Sequence, residues 1–291
     1  MVQRVRGNAT GLAISLILSV MALCMIFPFV YVILVSFTSG IAYHPNSLMI
    51  WPQKWSVEAY RMIFTGNGFF SSLKSSVFIT VIGTPLSVIV SAMLAYMFSR
   101  KSLPGNRWMT RLLLFTLIFN PGIIPSYILV KDLGLLNSLW ALILPSLSNA
   151  WTVLVMRSFY GSIPKDLEDA AAMDGYSDMG LFFRIILPLS KPMLAAFTLF
   201  NAVGFWNTYF NAILYINTES KWPLQVFLQQ IVLSANTANF LNTGIQQPQL
   251  QVPTVVIQMA TVVVVTLPVL VVYPFLQKYF AQGVMIGSVK E

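Results

Sequence analysis

Residues 11–37, GLAISLILSVMALCMIFPFVYVILVSF, form a continuous apolar stretch without an acidic or basic side chain. A hydrocarbon core about 30 Å thick needs roughly 20 apolar residues in helical form, and one ionised side chain at its centre costs about 2.5 to 3.5 kcal/mol. The stretch is also longer than the roughly 7 to 15 apolar residues of a signal-peptide core. We therefore interpret it as a first membrane-spanning helix.

The rest of the chain repeats this pattern. Of its 291 residues, 57% are hydrophobic and 9% are charged, whereas soluble proteins carry roughly 25% charged residues. Long windows without Asp, Glu, Lys or Arg recur along the chain, and each is long enough to hold a span. The predicted spans lie near residues 11–37, 73–98, 108–130, 138–156, 193–215 and 254–276. The sequence therefore predicts an all-α, polytopic membrane protein with six transmembrane helices in a single domain over residues 1–291.

The basic residues indicate how these spans are oriented. With the N-terminus in the cytoplasm, twelve of the 17 basic side chains fall on the inner side and five on the outer side. Basic loops favour the cytoplasmic side of a membrane, so this is the expected orientation. The inner set is Arg4, Arg6, Arg100, Lys101, Arg107, Arg111, Arg157, Lys165, Arg184, Lys191, Lys278 and Lys290, and the outer set is Lys54, Arg61, Lys74, Lys131 and Lys221. Both termini are therefore predicted to be cytoplasmic.

Composition argues against several classes of function. The formal net charge of +8 comes from residues that flank apolar stretches rather than from a basic stripe, so we expect no binding to nucleic acid. The chain has one cysteine, Cys24, and one histidine, His44, which are too few for a disulfide framework or a metal site. We interpret His44 as an exposed loop residue. No lysine follows a glycine, so the phosphate-binding pattern of an ATPase is absent from the sequence.

Residues 157–191 form a polar loop on the predicted inner side. Pro164 suits the first position of a helix, residues 165–173 favour helix, and the Asp-Gly pair at residues 174–175 supplies a stop. Five of the chain's nine acidic residues fall within thirteen positions of this loop: Asp166, Glu168, Asp169, Asp174 and Asp178.

A second helix follows in the same loop. Ser177 can cap its N-terminus, and Pro188 ends an apolar stripe that begins at Leu181. The residues expected to hold this unit against the membrane domain are Phe182, Phe183 and Ile186. The loop is thus predicted to be a helix-turn-helix outside the membrane that acts as a lever. A solvated connector whose alanines merely favour helix explains the same residues.

This loop resembles a known motif. Residues 169–175, DAAAMDG, followed by residues 186–188, ILP, and by Pro192, are similar to the Glu-Ala-Ala loop of bacterial ATP-binding-cassette (ABC) importer permeases, in its carbohydrate version. Asp169 stands where that family has Glu, which keeps the charge but shortens the side chain. Residues 283–290, GVMIGSVK, resemble the C-terminal tails of the maltose-permease-like and polysaccharide-permease branches, which can reach between two ATPase subunits.

The resemblance implies a type I ABC importer permease with a cytoplasmic coupling loop over residues 157–191. It also implies a second permease as heterodimer partner, two ATPase subunits that hold ATP and Mg, and an extracytoplasmic solute-binding protein. This chain would bind no cofactor or metal itself, would not be an enzyme, and would contact membrane lipid in the bacterial cytoplasmic (inner) membrane. The residues implied to couple it to the ATPases are Asp169, Ala170, Ala171, Asp174, Gly175, Leu187, Pro188, Gly287, Val289 and Lys290.

The same resemblance suggests the kind of substrate. Residues 283–287, GVMIG, and residues 223–225, PLQ, look most like the polysaccharide and oligosaccharide branch. A long sugar is therefore implied, and an acidic one such as alginate is our expectation. The partner permease and the binding protein would have to meet the charge of such a sugar, because the spans of this chain offer no buried Arg or Lys.

Residues 201–211, NAVGFWNTYFN, are the best candidate for sugar contact. At about 100° per residue, four polar or small residues fall within an arc of roughly 80° and form one face of the fifth span. This face consists of Asn201, Gly204, Thr208 and Asn211. Amide side chains pair with sugar hydroxyls, and an aromatic ring can stack on a pyranose. The predicted substrate path is Asn201, Gly204, Trp206, Asn207, Thr208, Tyr209 and Asn211.

Other interpretations of these residues stay open. Asn, Thr and Gly also mediate packing between membrane helices, so interhelical contact explains the same face. Tyr127, Asn149 and Trp151 are weaker candidates for sugar contact. At the level of function, the alternatives are an ion-coupled secondary sugar carrier and a non-transporting membrane subunit. A secondary carrier normally needs an ionisable group within the membrane, and the central parts of the predicted spans contain none. An intramembrane enzyme needs paired reactive groups at bilayer depth, and the sequence offers no such pair there.

Overall fold

The computed structural model describes residues 9–44, 49, 51–66, 68–100, 103–240 and 252–288. These residues are almost entirely helical, and the β contact among them is an isolated bridge between Thr38 and Trp55. The all-α class is therefore confirmed. In chain order the helices are α1 (Ala9–Ser36), α2 (Glu58–Thr65), α3 (Phe69–Ser99), α4 (Asn106–Ile118), α5 (Ile123–Asp132), α6 (Trp140–Ile143), α7 (Ala150–Tyr160), α8 (Lys165–Met173), α9 (Asp178–Leu181), α10 (Leu187–Leu189), α11 (Lys191–Trp206), α12 (Phe210–Tyr215), α13 (Leu224–Phe240) and α14 (Thr254–Ser288).

The chain divides into two compact units, and the single permease domain expected from sequence stays a prediction. The described residues within 1–67 and 228–267 form the first unit, and those within 68–227 and 268–291 form the second. In the first unit, α1 is apolar on all sides and its side chains over residues 12–30 are exposed, as expected for a helix that faces lipid. The hydroxyl of Ser36 at its end lies 2.7 Å from that of Tyr60 on α2.

Membrane spans are of two kinds in this structure. Three helices are long and apolar enough to cross a bilayer, namely Gly11–Ser36, Phe69–Ser99 and Thr254–Val272. Two further pairs qualify only as bent units: Asn106–Ile118 with Ile123–Asp132, bent by 117°, and Asp178–Leu189 with Lys191–Trp206, bent by 82°. The described residues thus hold three to five spans, and the predicted number of six stays a prediction.

The positions of the prolines explain some of these bends and interruptions in the helices. Pro28 and Pro85 lie inside α1 and α3, which continue past them. By contrast, Pro121 lies in the sharp break between α4 and α5, and Pro145 lies in the 3₁₀ turn Leu144–Ser146 that precedes α7. Proline lacks an N–H group and clashes with the preceding turn, so a helix near it bends or ends unless packing holds it. The fourth predicted span is therefore interrupted rather than continuous.

Helix α3 organises the second unit, because it packs against both α11 and α7. One face of α3 consists of small buried residues, which lets the neighbouring backbones approach closely. At Gly83 the ring of Phe205 on α11 occupies the space that a side chain would need. Buried small residues on this face are Ser75, Ser76, Gly83, Ser87, Ser91, Ala92 and Ala95.

Two apolar clusters lie along α3. The first contains the C-terminal part of α3 with residues of α7, α8, α9 and α11, including Tyr96, Met156 and Phe182. The second contains Ile79 of α3 with residues of α5, α6 and α12, including Ile143. The first cluster supports the predicted coupling loop, and the second supports the segment that follows α11.

Candidate coupling surface and translocation cavity

The coupling loop folds largely as its local signals predict. Helix α8 covers the predicted residues 165–173, and Gly175 follows with a φ of 78°, which is the left-handed conformation that glycine adopts without strain. The hydroxyl of Ser177 accepts a hydrogen bond of 3.2 Å from the backbone N–H of Gly180, so it caps α9. The predicted helix-turn-helix is therefore present.

The second half of this loop differs from the prediction. After the four residues of α9, the chain forms a π-helical segment, Phe182–Ile186, and continues through α10 to Ser190. Pro188 thus lies within α10 and does not end the pattern. Proline is tolerated in the first turn of a helix because the N–H there has no intrahelical partner.

The anchoring residues are mostly those expected. Phe182 and Ile186 are buried in the first apolar cluster, together with Leu181. Phe183, in contrast, is 47% exposed, so the prediction that it anchors the loop was wrong. It follows Phe182 by one residue in the helix, so its side chain leaves in a different direction, away from the buried face.

The predicted coupling residues divide between an exposed and a buried side. Asp169, Ala170 and Asp174 are exposed, and a side chain added at Gly175 would meet nothing within 4 Å. Ala171, however, is 3% exposed and packs in the first cluster, so it holds α8 against the rest of the unit.

The remaining predicted coupling residues lie later in the chain. Leu187 is half-buried and Pro188 is exposed. Of the C-terminal set, Gly287 lies at the end of α14, and Val289 and Lys290 lie outside the described residues.

Exposed apolar side chains accompany the acidic residues of this loop. Met173 is 89% exposed, Met179 is 57% exposed and Leu167 is 43% exposed. Exposed large apolar side chains can enter a protein contact, and flexible Met side chains adapt to such contacts. Sequence reasoning missed Met173 and Met179, although both interrupt an otherwise polar stretch. We use the name coupling surface for the exposed residues Leu167, Asp169, Ala170, Met173, Asp174 and Met179.

Arg100, the residue directly after α3, forms ion pairs with the coupling loop. A guanidinium N–H of Arg100 lies 2.6 Å from the Glu168 carboxylate, and another lies 3.5 Å from that of Asp178. Arg100 also donates to the hydroxyl of Tyr96 and lies over its ring. Glu168 is therefore engaged in an ion pair within the chain. Sequence reasoning missed Arg100, for which the only signal was its place at the end of a span.

An open cavity of about 520 Å³ lies at the other candidate site, where α11 ends. Six of the seven residues predicted for the substrate path line it, and so do Asn149 and Trp151 from the segment that begins α7. The lining residues include no charged side chain in the described part of the chain. The predicted members that line the cavity are Asn201, Gly204, Asn207, Thr208, Tyr209 and Asn211.

Trp206, the seventh predicted residue, lies elsewhere. It is 7% exposed and lines a separate apolar cavity of about 150 Å³ with residues such as Val77 and Val269. The reason is helical register, because two residues correspond to about 200° of rotation and place Trp206 opposite Gly204. Tyr127 is also outside the open cavity, and its ring stacks on Tyr215 at 6.4 Å.

The cavity forms where the fifth predicted span is interrupted. Helix α11 ends at Trp206 and α12 begins at Phe210, so residues 207–209 leave their helical positions. Backbone of this kind occurs inside membrane proteins where it lines a cavity or is buried by protein. The break brings Asn207 and Tyr209, which a continuous helix would point in other directions, to the same cavity as Asn201.

Hydrogen bonds hold the polar side chains of this cavity in place. Ser87 donates a bond of 3.1 Å to Oδ1 of Asn201, whose Nδ2 donates 2.9 Å to the carbonyl of Phe197. Gln225 donates a bond of 3.0 Å to Oδ1 of Asn207. A primary amide has two N–H groups and two lone pairs, so both Asn side chains keep capacity for a ligand. Asn149 is less available, because its Oδ1 caps α7 by accepting from the N–H of Thr152.

Aromatic side chains form the apolar part of the cavity. Trp151 is 53% exposed and is braced by Phe197, with ring centroids 5.8 Å apart. Tyr209 is half-buried at the break after α11. An exposed, braced ring beside fixed amides can bind a flat, hydroxylated ligand such as a sugar ring, because the ring covers its C–H face and the amides bind its hydroxyls. Groups of three or more His, Cys, Asp or Glu that could hold a metal are absent from the described residues.

Comparison with known sequences gives the family of this chain. Residues 62–286 match the family described as binding-protein-dependent transport system inner membrane component. The chain is 45% identical over 271 residues to the polygalacturonan/rhamnogalacturonan transport system permease protein YtcP of Bacillus subtilis (strain 168), covering 92% of this chain and 94% of that protein. It is 42% identical over 266 residues to the protein LplC of the same organism, covering 91% and 89%.

Solved structures agree with this assignment. A chain from a bacterial ABC transporter involved in the import of the acidic polysaccharide alginate has a TM-score of 0.84 and 32% identity, covering 94% of this chain and 96% of its own length. A chain of the bacterial alginate ABC transporter in complex with alginate pentasaccharide-bound periplasmic protein has a TM-score of 0.59 at 13% identity, covering 91% and 92%, and so has the same fold. From the sequence match and the shared fold, the chain belongs to the family of binding-protein-dependent transport system inner membrane components.

Proposed function

We propose that this chain is the permease subunit of an ATP-driven importer for oligosaccharides that contain uronic acids. The observation that carries the proposal is a neutral cavity, lined by amides and an exposed Trp151, in the same compact unit as an exposed coupling surface. Family membership supports the import function. A relative named for polygalacturonan and rhamnogalacturonan and a structural neighbour that imports alginate support an acidic sugar.

Two ATPase subunits supply the driving force in this proposal. One of them binds the coupling surface, where exposed Met173 and Met179 provide apolar contact and the acidic residues provide charge. Closure of the ATPases around ATP and Mg moves α8 and α9, and this movement changes the packing of the membrane helices between inward-open and outward-open states. This chain transmits force and encloses the path, and hydrolysis takes place on the partner subunits.

The cavity recognises the neutral parts of the sugar. Asn201 and Asn207 bind hydroxyl groups, and Trp151 covers a ring face. No charged side chain of this chain lines the cavity in the described residues, so the carboxylates of a uronic acid chain are met by the second permease and by the solute-binding protein. The chain lies in the bacterial cytoplasmic membrane with both termini in the cytoplasm, as the distribution of basic residues favours.

Reconstitution tests the proposal. The chain is placed in liposomes with its partner permease, the two ATPases and the binding protein, and uptake of a labelled oligogalacturonate is measured. We expect uptake that requires internal ATP, stops with vanadate and stops when the binding protein is omitted. A neutral maltooligosaccharide of equal length serves as the control substrate.

Other outcomes would favour the alternatives. Uptake that follows a proton or sodium gradient without ATP would make the chain a secondary carrier. Vanadate-sensitive ATP hydrolysis without uptake of any sugar would make it a non-transporting membrane subunit. Equal uptake of the neutral control would retain the importer but remove the assignment to acidic sugars.

A further inference from the structure

Arg100 joins α3 to both helices of the coupling loop. It is the C-cap residue directly after α3, and its guanidinium reaches Glu168 on α8 at 2.6 Å and Asp178 at the start of α9 at 3.5 Å. The side chains of Arg100 and Glu168 are each 22% exposed, whereas that of Asp178 is 92% exposed. The pair with Glu168 is therefore shielded from solvent and is the stronger of the two contacts.

The surroundings of Arg100 fix its position. Its guanidinium lies 4.8 Å from the centroid of the Tyr96 ring, and that ring lies 5.0 Å from Phe182 of the coupling loop. On the backbone side, buried Asn106 donates hydrogen bonds to the carbonyl of Arg100 and, at 3.1 Å, to that of Phe98. A residue held at both its side chain and its backbone transmits displacement rather than absorbing it by rotamer change.

The same helix reaches the candidate translocation cavity. Ser87 of α3 donates its hydrogen bond to Asn201, a cavity residue on α11. Thirteen positions separate Ser87 from Arg100, and the chain between them contains neither Pro nor Gly. At about 1.5 Å per residue this segment is a helical rod about 20 Å long. One end of the rod contacts the coupling loop, and the other contacts the cavity.

We infer that Arg100 is a positioning residue that carries the movement of α8 into α3 and, through Ser87 and Asn201, to the translocation cavity. The inference rests on the proposed function, since it describes how ATPase movement reaches the sugar path. Without the contact between Arg100 and Glu168, α8 would still bind an ATPase, but its displacement would reach the cavity less completely. ATP hydrolysis would then continue while less sugar is moved for each ATP.

A charge swap in the reconstituted importer tests this inference. Arg100→Glu and Glu168→Arg each place like charges together, so we expect the number of sugars moved per ATP to fall by about five-fold or more in each single variant. The double variant Arg100→Glu/Glu168→Arg restores an opposite-charge pair, and exposed Asp178 can turn away from the new Glu. We expect it to return the ratio to within about two-fold of the original protein. Arg100→Lys keeps one charge but loses the planar fork, so an intermediate ratio is expected.

Arg107→Glu is the matched control. Arg107 is exposed and lies near the same end of the membrane helices. Replacing it by Glu removes one basic residue from the predicted cytoplasmic side, as Arg100→Glu does. A ratio for Arg100→Glu equal to that for Arg107→Glu would overturn the inference, as would a double variant no better than the single ones. If Arg100→Glu does not assemble, the neutral pair Arg100→Gln/Glu168→Gln replaces it, and an unchanged ratio there overturns the inference. Absence of sugar uptake by the unmodified complex would instead refute the proposed function.

Discussion

A Cβ atom placed on Gly83 would lie 2.9 Å from Cζ of Phe205, closer than real side-chain contacts allow. Gly83 lies on the small-residue face of α3, and Phe205 is 5% exposed on α11. The ring of Phe205 therefore leaves no room for a side chain at Gly83. This contact is part of the packing between α3 and α11, and α11 carries residues that line the open cavity.

We expect Gly83→Ala to destabilise the protein by about 1–3 kcal/mol, because a well-packed contact must open to admit the methyl group. Thermal unfolding of the purified chain in detergent measures this change. Gly204→Ala is the matched control, since a Cβ there meets nothing within 4 Å and α11 continues through it. Equal melting temperatures for the two variants would contradict the close approach of α3 and α11.

The turn between α8 and α9 predicts a second result. Gly175 has a φ of 78° and open space around it, so a side chain there meets strain from the backbone alone. An L-residue in this conformation costs about 1–2 kcal/mol, whereas Asn adopts it more readily. We expect Gly175→Val to reorient the coupling surface and lower the number of sugars moved per ATP in liposomes, and Gly175→Asn to stay near the original value. Unchanged transport by the Val variant would show that this turn is not needed for coupling.

The exposed ring of Trp151 predicts an effect on substrate affinity. Loss of one aromatic contact removes about 0.5–1.5 kcal/mol, which corresponds to a rise in the KM for uptake of about two- to ten-fold in Trp151→Ala. Trp108→Ala is the control, because Trp108 is 64% exposed and does not line the cavity. If both variants show the same KM, Trp151 does not contact the sugar.

Asn137 contributes to stability in two ways that substitutions can separate: its side-chain hydrogen bonds and its tolerance of a positive φ. It has a φ of 59°, its Nδ2 donates 2.9 Å to the hydroxyl of Thr218, and its Oδ1 accepts 3.1 Å from the N–H of Thr218. Its carbonyl also accepts 2.7 Å from Lys221. Asn137→Gly removes the two side-chain bonds and should cost about 1–3 kcal/mol. Asn137→Ala should cost about 1–2 kcal/mol more, because alanine is strained at positive φ.

Thermal unfolding in detergent distinguishes these two variants. The order expected is the original protein, then Asn137→Gly, then Asn137→Ala, from highest to lowest melting temperature. An Ala variant more stable than the Gly variant would mean that the left-handed conformation is not maintained in solution. A Gly variant as stable as the original protein would mean that the hydrogen bonds between Asn137 and Thr218 do not contribute to the free energy of unfolding.

Local signals in the sequence were sufficient for much of this structure. The charge-free stretches predicted membrane helices, and the composition of residues 165–173 predicted α8 with its bounds. Ser177 was predicted as a cap and is one, because a hydroxyl at that position has the next turn within reach. The polar face that includes Asn201 and Gly204 was predicted from a rotation of 100° per residue, and it lines the cavity.

Other features could not be predicted, because they depend on residues far apart in the chain. Arg100 and Glu168 are separated by 68 positions, and no local pattern indicates that they meet. The break at residues 207–209 is stabilised by contacts such as that from Gln225 to Asn207, and a periodic pattern alone continued the helix through it. Trp206 was assigned to the sugar path because its aromatic ring can stack on a sugar, but it is the last residue of α11 and lies on the face opposite Gly204.

The amino-acid sequence by itself determined that this chain is helical, which of its segments prefer lipid to water, and which loop carries the coupling motif. These properties follow from side-chain transfer energies and backbone preferences, which act within a few residues. Only the tertiary structure decided which polar residues share a cavity, which aromatic ring is exposed in it, and which cation supports the coupling loop. Those outcomes depend on packing and hydrogen bonding between distant segments, and such contacts exist only after the helices have come together.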